Sequence, residues 1–532
     1  MSVDFDVIVV GSGPAGVSAT FPLIESGVQV LMVDGGKKED VPLSDDNFLS
    51  ARTHDNNQWI WMVGEDFHAL KMRDAVSPKL RAPSQTYAFA DFQSGNQIKS
   101  SDFTVVGSLA KGGLSNAWGC GVARLSQAEL AEFPFTTSEM DASYEKVSRR
   151  IGISGRSNDD MSAYFGLDEY AQPPIPMDGL HKWLANRYEK KRTYLNAQGF
   201  KLGRSRLATL NTDFSDRKAC NLCSKCLWGC SRGSLYSANH DLPALRKHSN
   251  FNELSGFVVD NLHFGHGGWT VTGQTSVDNT QRSFTANKII LALGTLATTR
   301  IVSRVLDIKR SLTLLSNPTA ACLIWVPRLL GTKRINGFGL GQLSFSLALN
   351  NGLSAFGSTF STTGIPMSEF VRHVPMARRF GVDLLKGIMS SCVVGNLFLP
   401  GQLTKAETKL SDSGTLIISG SYSDNVEPFM EEARNKLSKA YRSMGALLLP
   451  GSFTVGKPGG DIHYSGTLPM REVPGIGETS SMGEVKGMEG VFVVDGSCLP
   501  NLLAKSHTLT IMANADRIGG LIAANLCSGS TA

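Results

Sequence analysis

Phe5-Asp6-Val7-Ile8-Val9-Val10 runs directly into Gly11-Ser12-Gly13-Pro14-Ala15-Gly16, and a second apolar run, Val28 to Val33, ends in Asp34. The order is strand, glycine turn, helix, strand, acid. Gly11 permits the tight turn, Gly13 lets the backbone approach a pyrophosphate, and Gly16 lets the helix lie close on the strand. The N-terminus of that helix can then face the phosphates. Asp34 stands 18 residues past Gly16, where a carboxylate can accept from a ribose hydroxyl. A glycine turn alone is weak; with both strands and the acid in place the stretch predicts a dinucleotide-binding α/β unit.

The chain of 532 residues exceeds what one core usually serves, so two domains are expected. A net charge of +5 on 52 basic and 47 acidic residues is too small a surplus to suggest a nucleic-acid partner. No apolar run reaches the ~18 residues of a membrane helix. The first apolar run has no basic region before it and leads into the glycine turn, so it reads as a strand and the protein as cytoplasmic.

Residues 37–100 are polar and irregular, a lid-like insertion with Trp59-Ile60-Trp61 expected to pack on the main domain. Lys111 to Gly121 holds Gly112, Gly113, Ser115, Asn116 and Trp118. Its glycines mark backbone passing close to something flat or anionic; Asn116 can hydrogen-bond a cofactor and Trp118 can pack on a ring. Residues 126–153 read as helical with Ser126 as N-cap.

Cys220, Cys223, Cys226 and Cys230 make CxxCxxCxxxC, four of nine cysteines within eleven residues. In a reducing compartment this spacing argues for metal over disulfides, yet in the ferredoxin run the fourth cysteine serves a second cluster, which has no second cysteine set here. An iron–sulfur centre, with a remote ligand such as Cys120, a zinc site and plain structural thiols all remain open.

Residues 251–300 read as the far half of the dinucleotide sheet, with a strand from Gly256 through Val258 to Val259, another from Lys288 to Leu293 ending at Gly294, and a helix from Ala297 to Val305. Strand-like runs at 320–326, 339–349, 388–398 and 414–420 predict an antiparallel sheet and hence a second domain. Between them Glu369 to Lys386 is basic and amphipathic: Arg372, Arg378, Arg379 and Lys386 stand beside Phe370, Val371, Phe380, Leu384 and Leu385, interrupted by Pro375. A solvated helix face is the expectation, a membrane-surface contact the alternative. A long helix is read over Glu427–Leu447. Gly490 to Asp495 is a buried strand, Gly496 opens a loop, and Thr508 to Ala524 is an apolar-faced helix. His463 and His507 lie on loops flanking that strand, and imidazole suits proton abstraction near neutrality.

Together, GSGPAG with Asp34, GGLSNAW, KIILALGTLATTR, HYSGTLPM and VFVVDGSCLPN followed by SHTLTIMANADRIG resemble, in order, the motifs of the glucose–methanol–choline (GMC) flavoprotein oxidoreductases. The resemblance covers the cofactor domain and leaves the substrate domain unmatched in detail. It implies a Rossmann-like FAD-binding domain of GMC type and a second α+β substrate domain on an antiparallel sheet. The first is assigned residues 1–36, 101–125, 205–316 and 450–532, the second 37–100, 126–204 and 317–449. Of the branches, the pyranose-oxidising one looks nearest, and the four-cysteine insert resembles bacterial members. Where relatives can carry a flavin-linked histidine this chain has Ala117, so FAD should be non-covalent. Gly11, Gly13, Pro14, Ala15, Gly16, Asp34, Gly112, Gly113, Ser115, Asn116, Trp118, Val258, Gly294, Asp495, Gly496 and Thr508 become cofactor-site candidates.

The family places a catalytic histidine at His463 and a second residue, Asn or His, before the last helix. By strict register that is Ser506, with His507 on a position usually held by proline. His463 is expected as base, His507 next, and Ser506 as a hydrogen-bond donor at most. The implied reaction oxidises a CH–OH group of a sugar, glycoside or other alcohol, with hydride passing to flavin N5. Oxygen, a quinone or a redox protein would be the electron acceptor. An electron-transfer flavoprotein with a cysteine-held metal centre, or a flavin-dependent isomerase or reductase, is the alternative.

Overall fold

The structure is a computed structural model and describes residues 4–39, 43–71, 77–265, 267–276, 278–371 and 374–529. Phe5–Val10, whose last four residues are buried, is flanked in parallel by Val30–Asp34 and by the second half of Gln281–Leu291. Outside these, Phe251–Ser255 pairs with Val30–Asp34 and Val491–Val493 with Ile289–Leu291, both in parallel. The first half of Gln281–Leu291 instead pairs antiparallel with Gly268–Thr275, which pairs with Phe257–Gly265. One long strand therefore belongs to a parallel sheet at one end and a meander at the other.

Parallel strands put their C-terminal ends on one edge. Because Phe5–Val10 has neighbours that follow it in sequence on both sides, its C-terminal end is a topological switch point, where open α/β sheets bind ligands. Helix Pro14–Glu25 packs on the sheet and against the final helix, Thr508–Gly529. The expected first βαβ unit and the far half of its sheet are thus present.

The second sheet is antiparallel and holds Phe200–Arg204, Thr319–Trp325, Leu343–Ala348, Ser354–Ser361 and Cys392–Phe398, with short edge pairings from Leu447–Leu448 and Thr454–Val455. Helix Val426–Met444 covers it, its Phe429, Met430, Ala433, Leu437 and Tyr441 buried in that core. That helix stops at Gly445, φ 88°, earlier than its apolar spacing suggests, because the left-handed glycine ends it. Leu416–Tyr422 does not join this sheet. It pairs with Thr404–Leu410 and Ile98–Ser100 in a separate four-stranded sheet that also takes Leu312–Leu314.

Two further expectations are corrected. The run at 388–398 is the end of helix Arg378–Ile388 followed by strand Cys392–Phe398, because its first residues close an amphipathic helix. Helix Thr137–Ile151 starts at a Thr136/Glu139 capping box, not at Ser126, which only closes a turn to Leu130. Its Met140, Tyr144, Val147 and Ile151 belong to the first core, so this part of 126–204 sides with the cofactor domain.

Arg372 lies outside the described residues. The rest of the basic stretch forms Ser368–Val371 and Arg378–Ile388, with Leu385 buried and Phe380 and Leu384 exposed. No helix among the described residues is long and apolar enough to cross a membrane.

Candidate functional site

One cavity of about 550 Å³ runs from the glycine turn to the antiparallel sheet. Its cofactor end gathers loops from the C-terminal edge of the parallel sheet: Gly11 to Ala15, Asp34, Ala292 to Thr295, and Asp495 with Gly496. Gly113, Ser115, Ala117 and Trp118 close it from one side, and Val258 and Thr508 from others. Gly11 sits at φ 109°, and a Cβ there would stand 2.3 Å from the Ala292 carbonyl oxygen. A Cβ on Gly13 would meet only the Gly113 Cα, at 3.9 Å, so this is the one open approach on the turn.

Asp34 is buried at the end of its strand. Its Oδ1 accepts from the Gly36 N–H at 2.7 Å and the Ser255 hydroxyl at 3.0 Å, while Oδ2 is buried without a partner. Burial holds the carboxyl above its usual range, against the hydrogen bonds that lower it. A buried oxygen without a donor costs about 1–3 kcal/mol. A ribose hydroxyl would supply that donor, and the bare Gly13 backbone would admit a pyrophosphate, so these residues fit FAD.

Three candidates stand behind the cavity wall rather than on it. Gly16 packs on Gly11. Gly112, at φ 81°, donates its N–H to the Ser12 hydroxyl. Asn116 uses its whole amide on the loop, donating to Lys111 and Gly113 carbonyls and accepting from Ser237 and Asn239, so it is corrected from cofactor contact to brace. Trp118 reaches the cavity with its indole N–H tied to the Tyr236 carbonyl at 2.7 Å. Asp495 lines the cavity but is saturated: Oδ2 accepts from the Gly294 N–H and Thr298 hydroxyl, Oδ1 from the Ser497 N–H and hydroxyl. It clamps two cofactor loops together.

At the middle of the cavity His463 and His507 meet edge to face, ring centroids 4.8 Å apart. Ile462, just before His463, sits at φ 62°, an outlier for a β-branched residue. Such strain costs about 1–3 kcal/mol and persists where the surroundings over-determine it. Here the buried Asp461 carboxylate accepts from the Ser316 hydroxyl at 2.6 Å and the Asn317 N–H at 2.7 Å, anchoring the turn.

His463 keeps about 30% of its side-chain surface open, and that surface faces the cavity. Desolvation, then the neighbouring His507, hold its pKa well below the usual imidazole value. Burial pushes His507 down to about 4 and Asp461 up to about 7. Both imidazoles are thus neutral at pH 7, able to accept a proton and to donate a hydrogen bond. His507 also begins the last helix, its carbonyl accepting from Ile511 at 3.0 Å, and its Nδ1 has no partner. Ser506 lines the cavity beside Gly121, where a Cβ would come within 2.8 Å of its hydroxyl oxygen. The structure therefore sets His507, not Ser506, against His463.

The far wall comes from the antiparallel sheet: Phe356, Ser358, Phe360, Asn396 and Phe398, with Phe165 beside them. Phe398 lies 5.1 Å from the His463 ring. Arg206, the cation on this wall, is fully buried and paired with Asp159 and Asp168. Sequence reasoning missed Asn317, Asp461 and these phenylalanines. Asp461 sits two residues from His463 and was within reach of a motif reading; an isolated Asn-Pro or Phe in a strand carries no such signal.

The cysteine segment lies where the 37–100 insertion meets the second domain. Phe48 N–H donates to the Cys223 carbonyl, Trp228 stacks on Phe48 and meets Trp61 edge-on, and the Ser224 hydroxyl donates to the Gly337 carbonyl. Trp61 packs inward as expected, while Trp59 stacks on Phe67 at the surface. Cys220, Cys223, Cys226 and Cys230 are free thiols, and among the described residues no three Cys, His, Asp or Glu side chains converge in a metal-holding arrangement. Burial, then the charges of the other three cysteines, push Cys226 far up. Half-buried Lys79 faces Cys120, Cys226 and Cys230, and its Nζ donates to the Trp118 carbonyl at 2.6 Å.

A switch-point crevice running into a two-histidine chamber under a second antiparallel sheet defines a two-domain FAD-binding protein. Two family descriptions match: FAD binding domain over residues 4–53 and GMC oxidoreductase over residues 458–515. The GMC oxidoreductase match is confined to residues 458–515, and the two-domain fold is consistent with it. No curated protein matches it. Among solved structures it is similar to a variant formate oxidase from Aspergillus oryzae RIB40, at 13% identity and TM-score 0.61 over 99% of this chain and 100% of that one. It is also similar to pyridoxine 4-oxidase from Mesorbium loti, at 13% identity and TM-score 0.56 over 97% and 98%. At these identities the likeness is one of fold.

Proposed function

We propose that the chain is an FAD-dependent oxidoreductase that converts a CH–OH group to a carbonyl. The observation that carries this is the His463–His507 pair, ring centroids 4.8 Å apart, in the cavity that begins at the glycine turn. Bound FAD supplies the hydride acceptor. His463 takes the hydroxyl proton, and His507 holds the alcohol oxygen through a hydrogen bond. The phenylalanine wall excludes water and suits an alcohol with an apolar or aromatic face beside the reacting carbon. The polar side chains this sheet offers the cavity, Thr319, Ser344, Ser358 and Asn396, are few for a heavily hydroxylated sugar. The test is anaerobic bleaching of the flavin absorbance by a panel of aryl, alkyl and terpenoid alcohols, sugars and glycosides. No bleaching by any member would leave a redox-silent flavoprotein.

FAD binding is non-covalent in this reading, because Ala117 on the cavity wall offers no linking atom. Acid precipitation is expected to leave a colourless pellet and a yellow supernatant; a yellow pellet would overturn it.

The cysteine segment would be an electron exit only on gathering a metal, since among the described residues its side chains converge in no metal-holding arrangement. Lys79 supports that role by position: it faces Cys120, Cys226 and Cys230, and its Nζ donates to the Trp118 carbonyl on the loop of the cofactor cavity. An iron–sulfur centre there would pass electrons singly to a quinone or redox protein. Iron and acid-labile sulfide in proportion to FAD in air-free protein would assign the segment an iron–sulfur centre. Stoichiometric zinc, or metal-free protein with full activity, would make the segment a structural brace.

A further inference from the structure

Asn317 is almost fully buried, and its two side-chain atoms have unequal surroundings. Nδ2 donates to the Leu399 carbonyl at 2.7 Å and to the Leu503 carbonyl at 3.0 Å. Carbonyl oxygens only accept, so the amide is fixed with its NH₂ toward them and Oδ1 turned the other way. Oδ1 lies 3.0 Å from His463 Nδ1. An amide oxygen carries no proton, so this contact is a hydrogen bond only if Nδ1 is the protonated nitrogen of the neutral ring. Nε2 is then left with the lone pair.

We propose that Asn317 is a positioning residue that sets the tautomer of His463, holding the proton on Nδ1 so that Nε2 is the base. This rests on the oxidation reading only for the use made of that base. The remaining groups around the ring do not compete. Asp461 Oδ2 is 3.7 Å from Nδ1, beyond hydrogen-bond reach, and is engaged by the Asn317 and His463 N–H groups. His507 and Phe398 meet the ring through its faces and edges. Asn317 also ties three segments together: the His463 turn, the end of strand Cys392–Phe398, and the loop that leads to His507. The two carbonyls that orient the amide therefore belong to the second domain and to the last loop of the first. The seating of these parts and the proton position on His463 are one structural event.

The test is histidine-selective ¹⁵N NMR of the FAD-loaded protein, with the His463 signals assigned by their loss in His463→Ala. The wild-type ring is expected neutral with Nδ1 protonated. Asn317→Ala is expected to give a mixture of both tautomers. Its kcat with a bleaching alcohol falls about tenfold or more, KM and FAD content changing little, because the base survives but is often wrongly protonated. An Nε2-protonated ring in the wild type overturns the proposal even if the variant fails to fold. So does an unchanged tautomer in the variant, or a lost tautomer with kcat intact. If no alcohol bleaches the flavin while the wild-type ring is Nδ1-protonated and the variant mixed, the oxidation reading fails and the role of Asn317 in setting the tautomer stands.

Discussion

Replacing His463 by alanine is expected to slow flavin reduction by a factor of about 10² to 10⁴, the range for loss of a general base, while FAD stays bound. FAD retention follows from geometry: the glycine turn, Asp34 and the Asp495 clamp lie on the parallel-sheet side and do not pass through His463. His507→Ala should cost less, since a hydrogen-bond donor to the alcohol oxygen is lost but the proton acceptor remains. The pH profile gives an independent check. Because burial and His507 hold the His463 pKa well below 6.5, its imidazole stays unprotonated on acidification past the usual histidine value. The acid limb of kcat/KM is therefore expected well below pH 6.5. A limb at or above 6.5, or His507→Ala hurting more than His463→Ala, would move the base elsewhere.

Much of the cofactor half was legible because its chemistry is local in sequence. The glycine turn must follow a strand directly, and an acid must end the next one, so Gly11 to Asp34 could be read from spacing alone. Parallel pairing then puts Gly294 and Asp495 on the same edge, though they are far apart in the chain. Asn116 misled for a physical reason. Its half-buried amide donates twice within its own loop and accepts twice from Ser237 and Asn239, far off in sequence, so nothing is left for a cofactor. The division of the chain slipped at Thr137–Ile151 because amphipathic spacing tells that a helix has a buried face, not which core receives it.

The substrate side was least legible, since it is made by contacts between distant segments. Phe398 and Phe356 come from neighbouring strands of the second sheet, Asn317 from the connection into it, and His507 from the start of the final helix. No spacing rule links them. The strained turn at Ile462 is likewise invisible in the sequence GGDIHYSG, yet it separates the anchored Asp461 from the cavity-facing His463. The cysteine spacing was plain in the sequence. The insertion that covers it, through Phe48 and Trp61 on Trp228, was not.

Gly16→Ala and Gly13→Ala should separate folding from cofactor binding within one turn. A Cβ on Gly16 would stand 1.8 Å from the Gly11 carbonyl oxygen, a backbone atom held by the first strand, so the helix must lift off the sheet. Helix Pro14–Glu25 also packs on the final helix, so the shift spreads into the first core. Overpacking of this kind typically costs about 1–3 kcal/mol and, with backbone on both sides, more. Gly16→Ala is therefore expected to lower the melting temperature of the FAD-free protein and to bind no FAD. Gly13→Ala adds a Cβ that meets only the Gly113 Cα at 3.9 Å, an ordinary contact. Its FAD-free melting temperature should match the wild type, while FAD retention drops sharply, because the methyl fills the one open approach for a pyrophosphate. The measurements are melting by circular dichroism after FAD removal and FAD content after gel filtration. Full FAD retention in Gly13→Ala would take the phosphate away from this turn, and with it the register of the whole cofactor crevice.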